Sequence, residues 1–427
     1  MVMHLRDAVR QVYIDSVKTE AFFLGLSSGI VMTLFFVSVL TMVAAHDPAS
    51  GAIHELASWS YPLFRAAFLV CLGWMLFGGV LFFWRRAKVD YHAALGAGPL
   101  VHYRAVMTSA FSAWTLTLAA FTTYAFLLIA PGAFGGVGRG RDALPVLAFL
   151  APAVVLLWPL DRAPMTCLGQ RGAFQMRRAF VKDLLLPVLA TPFTLPTFAR
   201  TLLADVLCSM PKLFADVHYA LCLGGAAISG LSAEDPSFNG MCSSAHRPYR
   251  RASFALQCIP LTMRALQSLR ALPGAPRKAR WRHVANAGKY SLSLCLIFSP
   301  VRSQTWLALA LVSTGINSFW DVWFDWGLPR SRRRFPRWCY FGAVFTNLVA
   351  RCGWAIYVSP DQHIVQQHVV LMLGCLEMCR RFQWLLFRVE HECVKLEAEA
   401  PHSYSRTGED EAARYELAPQ KDGGRPV

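Results

Sequence analysis

Charge is scarce in this sequence. Only 16% of its 427 residues are charged, against about 25% in an ordinary soluble domain, which excludes a disordered or simply soluble chain. Acids are scarcer still: 26 Asp and Glu stand against 42 Lys and Arg, a formal charge of +16. In a soluble protein that excess would point to nucleic acid. Here 55% of residues are hydrophobic and the mean hydropathy is +0.37, so the excess reports cytoplasmic loops and ion pathways of a membrane protein, and no nucleic-acid partner is expected. The 12 cysteines include no CxxC pair and fall mostly inside apolar runs. They read as small buried apolar residues, not as a disulfide frame or a zinc site. No nucleophile–base pair or metal-ligand cluster stands out, so no catalysis and no cofactor are assigned. His363 and His368 have no suitably spaced carboxylate or thiol and read as a membrane-edge pair. Internal repeats and low-complexity tracts are also missing.

What is present is length in apolar runs. A bilayer core needs about 20 mainly apolar residues per helix, because lipid offers the backbone no hydrogen-bond partner. Four stretches of the first half qualify, roughly 20–45, 60–84, 104–131 and 143–160. Six in the second half, about 203–228, 254–271, 284–300, 302–327, 338–358 and 364–390, contain ionisable residues well inside them. The fold class expected is therefore an all-α polytopic membrane protein of about ten transmembrane helices. Lys and Arg concentrate in cytoplasmic loops. The clusters Arg85, Arg86, Lys88; Arg162, Arg171, Arg177, Arg178, Lys182; Arg277, Lys278, Arg280, Arg282; and Arg330, Arg332, Arg333, Arg334, Arg337 fall on one side if both termini are inside. Arg139 and Arg141, with Arg247, Arg250 and Arg251, fit that scheme less well. The implied organisation is a cytoplasmic N-terminus (1–19), a four-helix scaffold (20–160), an interfacial helix and linker (161–200), a second transmembrane bundle (201–392) and a disordered cytoplasmic tail (393–427).

A charge at the centre of a lipid-facing helix costs at least about 2.5–3.5 kcal/mol, so such residues face a bundle interior or a wet cavity. In the fifth span Asp205, Ser209, Lys212 and Asp216 form one helical stripe at i, i+4, i+7 and i+11. The eighth ends in NSFWDVWFDWGLPR, where Asp321 and Asp325 stack four apart and need cations from other helices; two solvated acids beside an aromatic belt are the blander alternative. In the tenth, Glu377 precedes Arg381 in the favourable i, i+4 order, which leaves Arg380 without a local partner. Arg351 with Trp354, Lys289 with Tyr290, and Arg264 complete the set. A guanidinium matches an oxyanion bidentately and keeps its proton, while interleaved carboxylates stop the anion binding too tightly for conduction. Structural ion pairs are the alternative for any one of these residues.

The segment from about 200 to 392 also resembles the EXS domain. The residues that carry the likeness are LADVLCSMPKLFADVHYALC, MRALQSLR, HVANAGKYS, NSFWDVWFDWGL, the Arg351/Trp354 pair and EMCRRFQWLLFRVEHE. The resemblance implies an EXS-type bundle of a phosphate exporter, with the route lined by Asp205, Lys289, Tyr290, Asp321, Asp325, Arg351, Trp354, Arg380 and Arg381, and with Arg264 and Glu377 as a second rank. By that likeness Arg351, Arg380, Arg381 and Lys289 recognise phosphate, Tyr290 donates a hydrogen bond, the three aspartates orient the cations and Trp354 gates by bulk. The large exporters carry an N-terminal SPX domain, whereas about 19 residues precede the first span here. Direct regulation by inositol pyrophosphates is therefore not expected, and the layout is similar to a short Golgi member of the family. The implied partners are inorganic phosphate and the lipid bilayer, with a homodimer as candidate assembly. The implied location is the Golgi or the plasma membrane. Two other functions stay open on the residues alone: a Golgi scaffold that retains glycosyltransferases, and an enzyme acting on lipid phosphates.

Overall fold

The computed structural model describes residues 2–45, 59–96, 103–130, 143–157, 180–228, 241–243, 245–328, 333–358 and 366–399. Among the described residues the elements are helices, with no strand. Outside them lie much of the expected interfacial segment (161–179), the tail from 400 onward, Cys167, His363, and the arginines at 139, 141, 162, 171, 177, 178, 330 and 332.

The first helix, α1 (Val2–Ala45), spans about 66 Å at 1.5 Å per residue. Its apolar portion, Ala21–Ala44, is long enough to cross a bilayer. Phe22, Phe36, Leu40 and Val43 point outward, each at least 60% exposed; an apolar face of that length is tolerated only against lipid. The other face of α1 packs on α4 (Tyr103–Ile129), where the Ser38 and Thr122 hydroxyls meet at 2.6 Å. Between them and the rest of the molecule stand α2 (Tyr61–Arg86) and α5 (Ala143–Leu157); a short α3 (Tyr91–Leu95), capped by the Asp90 side chain, follows α2. Phe64 and Phe68 of α2 interlock with Phe121 and Trp114 of α4 at ring separations of 5.0–5.6 Å.

The second group begins with a wide turn (Phe180–Leu185) and α6 (Leu186–Leu189) and continues through α7 (Phe198–Cys208), α8 (Pro211–Ile228), α9 (Arg247–Ala271), α10 (Arg280–Phe298), α11 (Gln304–Trp320), α12 (Arg337–Arg351) and α13 (Gln366–Glu399). Successive helices pack as neighbours, α9 on α10, α10 on α11, α11 on α12 and α12 on α13. The long α13 also lies along α2, which joins the two groups. Small residues make the approach close: a Cβ on Gly73 would sit 2.5 Å from the Met378 methyl, and one on Gly374 would sit 3.2 Å from Leu69. Trp84 adds a hydrogen bond to the Leu386 carbonyl at 3.0 Å.

Among the described residues each of the ten sequence intervals contains helix, and the all-α membrane class is as expected. By length and composition four described helices can span a membrane, five if the bent pair α7/α8 is one span. The others are too short or not apolar enough to qualify on that ground alone. Three expectations are corrected. The fifth span is not one helix: Pro211 has no N–H to continue the ladder and disfavours a helical residue before it, so the chain bends by 73° between α7 and α8. The stripe Asp205, Ser209, Lys212, Asp216 is thereby split between two directions. The cysteines are not all free either. Cys222 near the end of α8 and Cys242 ahead of α9 form a disulfide, their Cα atoms 5.9 Å apart, and Cys295, Cys352 and Cys379 are exposed, not buried. The α13 helix also continues through Glu399, past the tail boundary at 392.

Candidate functional site

Thr197 caps the N-terminus of α7, its hydroxyl accepting from the Arg200 N–H at 3.3 Å, and two turns on the helix turns Asp205 into the bundle, 3% exposed. A bare carboxylate there would be untenable. Arg264 of α9 meets it with both ends of its fork, Nε to Oδ1 at 2.7 Å and Nη2 to Oδ2 at 3.1 Å, and the Tyr290 hydroxyl of α10 donates to Oδ1. Arg264 also lies over the Tyr290 ring, 5.0 Å from its centre. This second-rank candidate is thus a direct partner of a first-rank one.

The second node is Asp321, 2% exposed. At the end of α11 the backbone widens into a π turn (Asp321–Asp325), with the Trp326 N–H bonded to the Asp321 carbonyl at 2.8 Å. Asp321 and Asp325 then serve different partners. Asp321 Oδ2 accepts from Arg351 Nε at 3.1 Å and Nη2 at 2.5 Å, and from Asn347 Nδ2 at 3.0 Å, all from α12. Arg380 of α13 stands 3.8 Å away. Asp325 accepts from Trp384 Nε1 at 3.0 Å and pairs with Arg388 at 3.6 Å. The expected need for cations from other helices is met, and the buried position of Asp321 removes the alternative of two solvated acids. Gly327 closes the turn at φ +57°, where a Cβ would lie 2.3 Å from the His391 ring.

On α13 the pairing differs from the expected one. Glu377 bonds Arg380, three residues on, with Nε to Oε2 at 2.7 Å and a second contact from Nη2; it does not take Arg381. The Arg381 side chain crosses to the C-terminal end of α7, where Nε donates to Ser209 Oγ at 2.7 Å, and its guanidinium lies 4.8 Å from the centre of the Trp384 ring. No carboxylate among the described residues is within ion-pair distance of it. Lys289 is in the same position: its ammonium rests over the rings of Tyr290 at 4.8 Å and Trp320 at 5.0 Å, without an acid in contact. Both cations are buried, 8% and 7% exposed. At longer range Lys289 interacts with the charges of Asp325, Asp205 and Asp321, and Arg381 with those of Asp205 and Asp321. Ten of the eleven candidates therefore form one electrostatic cluster. Five cations (Arg264, Lys289, Arg351, Arg380, Arg381) face four acids (Asp205, Asp321, Asp325, Glu377) within it. Trp354 is placed apart from the charges, on the 3₁₀ turn after α12; its indole N–H donates to Thr314 at 2.9 Å and its ring meets Trp306 edge-on.

Sequence reading missed Arg65. It lies inside the apolar start of α2, 3% exposed, and grips Asp216 of α8 with Nε to Oδ2 at 2.8 Å and Nη2 to Oδ1 at 2.6 Å. Lys212 adds a weaker contact to Asp216 at 3.7 Å. The available signal was a charge within an otherwise apolar span. Asn347, 1% exposed, was also missed, and an amide in a span carries no comparable signal.

Such an arrangement can hold an oxyanion. Arg381 spends one donor on Ser209 and keeps its Nη groups, and Lys289 keeps its ammonium hydrogens, in a place where a desolvated cation needs compensation. The EXS family model matches residues 60–394. The protein named phosphate transporter PHO1 homolog 10, from Arabidopsis thaliana, is 26% identical over 395 residues, covering 87% of this chain and 48% of the relative. SPX and EXS domain-containing protein 3 of Dictyostelium discoideum is 27% identical over 307 residues, 65% of this chain and 30% of the relative. Human solute carrier family 53 member 1 is 25% identical over 286 residues, 58% and 40%. This chain spans less than half the length of each of these relatives. With the family match running over well more than half of the sequence, the chain belongs to the EXS family.

Proposed function

We propose that this protein moves inorganic phosphate across a membrane through the cluster between α7 and α13. One observation carries the reading: Lys289 and Arg381 are buried cations with donors to spare and no carboxylate in contact among the described residues. A travelling phosphate supplies the missing charge. Arg381 presents its Nη groups to two phosphate oxygens and Lys289 a point charge to a third, while Tyr290, held on Asp205, orders the wall beside them. Arg351 relies on Asp321, which Arg380, paired with Glu377, also approaches, so Arg351 retains attraction for an anion. The interleaved acids keep the residence short enough for release. A relative named as a phosphate transporter and another named as a solute carrier support a transport role over catalysis.

A scaffold role, such as retention of glycosyltransferases in the Golgi, is favoured by a different observation: Arg264–Asp205 and Arg65–Asp216 are closed, bidentate pairs. Those pairs are frame; the two uncompensated cations are not. Radiolabelled phosphate flux into proteoliposomes separates the readings. Lys289→Met and Arg381→Met should each cut flux at least about tenfold, the lower range for a lost hydrogen bond to a charged group. Wild-type flux in both would remove the site assignment. The compartment is export across the plasma membrane or return of phosphate from the Golgi lumen to the cytosol, and microscopy of a tagged copy distinguishes them.

A further inference from the structure

Asn347 lies one turn before Arg351 on α12 and is almost fully buried. Its amide is tied at both ends. Nδ2 donates to Asp321 Oδ2 at 3.0 Å, and Oδ1 accepts from Arg380 Nη1 at 3.2 Å. These partners leave no ambiguity in the orientation, because a guanidinium only donates and an ionised carboxylate only accepts. The consequence is geometric: Arg351 reaches Asp321 Oδ2 at 2.5 Å, while Arg380 is kept 3.8 Å from the same oxygen.

We propose that Asn347 is a positioning residue for the phosphate pathway, an amide spacer that keeps Arg380, paired on one side with Glu377, from closing onto Asp321 on the other, so that the donors Glu377 does not take stay available to a passing anion. This rests on the transport reading above. Without the spacer Arg380, already bonded to Glu377 through Nε and Nη2, closes onto Asp321 as well, its remaining donors are spent on a second carboxylate, and the affinity of the site for an anion falls. The charged groups that surround the amide are Asp321 on the π turn, Arg351 on α12, Glu377 and Arg380 on α13, with Arg381 and Lys289 acting on Asp321 from further away.

The test is phosphate uptake by proteoliposomes as a function of phosphate concentration, for wild type, N347L and N347D, at neutral and at acidic pH, each normalised to wild type at the same pH. N347L keeps the shape and loses both bonds; it should raise KM about tenfold or more. N347D keeps the acceptor for Arg380 but sets a second carboxylate against Asp321, so at neutral pH its KM should rise at least as far. At acidic pH the added carboxyl takes up a proton. Its O–H then donates to Asp321 while its carbonyl accepts from Arg380, and KM should return toward wild type. A purely structural amide predicts otherwise: fewer active molecules, hence lower maximal flux, with KM unchanged and no recovery in acid. That pattern overturns the proposal, as does wild-type KM in both variants. If neither of these variants folds, N347S, which is smaller and loses the bridge between Asp321 and Arg380, takes their place: its KM should rise, and a wild-type KM in N347S overturns the proposal too. Lack of uptake by wild type would remove the transport reading itself, a result distinct from any of these.

Discussion

Replacing Arg381 with methionine separates a cation kept for transport from one kept for stability. The side chain is 8% exposed and makes two contacts, the hydrogen bond to Ser209 and the stacking over Trp384. Losing a charge-assisted hydrogen bond costs about 1.5–3 kcal/mol, and losing the cation–π contact about 0.5–2 kcal/mol. Against that, the substitution removes a buried charge with no carboxylate in contact, whose desolvation costs several kcal/mol. The opposing effects leave R381M within about 2 kcal/mol of wild type. Asp205→Asn is the contrast. It strands Arg264, 6% exposed, without its bidentate acid, a loss of about 3–5 kcal/mol. Phosphate adds a second axis: a ligand at 100 times its Kd stabilises the folded state by about 2.7 kcal/mol. Thermal unfolding in detergent, with and without phosphate, reads both. Wild type should gain melting temperature with phosphate, and R381M should melt near wild type and gain none. An R381M protein as unstable as D205N that still responds to phosphate would refute the reasoning, because Arg381 would then be a structural residue.

Arg65→Ala and Asp216→Ala should each destabilise by about 3–5 kcal/mol, since either removes one half of a buried bidentate pair, and the double variant should cost less than the sum; thermal unfolding of the cycle checks this. Gly327→Ala combines a left-handed backbone with a collision against His391 and should cost about 2 kcal/mol or more. Adding His391→Ala should return the steric part, again read from melting. Mass tagging with a maleimide after denaturation should leave Cys222 and Cys242 unmodified until a reductant is added, while Cys71, Cys258 and Cys393 label without it.

How much of this was legible depended on what each residue would cost if misplaced. Asp205 and Asp321 could be identified from sequence because a carboxylate in an apolar span has no acceptable position except against a cation. Their partners were less legible. Glu377 can reach residues three or four ahead with equal ease on a helix, so the choice of Arg380 over Arg381 was decided by Ser209, which caps the end of α7 and is distant in sequence. The bend at Pro211 had a readable signal, yet a helical stripe running through it appeared continuous. Arg65 was passed over because its span is apolar on average, and an average conceals one residue. The Cys222–Cys242 bond spans 20 residues and has no local pattern; only the return of α9 beside α8 brings the sulfurs together. Trp354 carries a bulky side chain in the expected place, but its hydrogen bond to Thr314 depends on how α11 packs.

The central claim is that Arg381 and Lys289 await an anion. A cryo-EM structure of the protein in lipid nanodiscs with saturating phosphate tests it most directly. The account predicts tetrahedral density within hydrogen-bond distance of Arg381 Nη and Lys289 Nζ, with Asp205 still held by Arg264. Side chains of those two cations closed onto carboxylates, with no density between them, would contradict it.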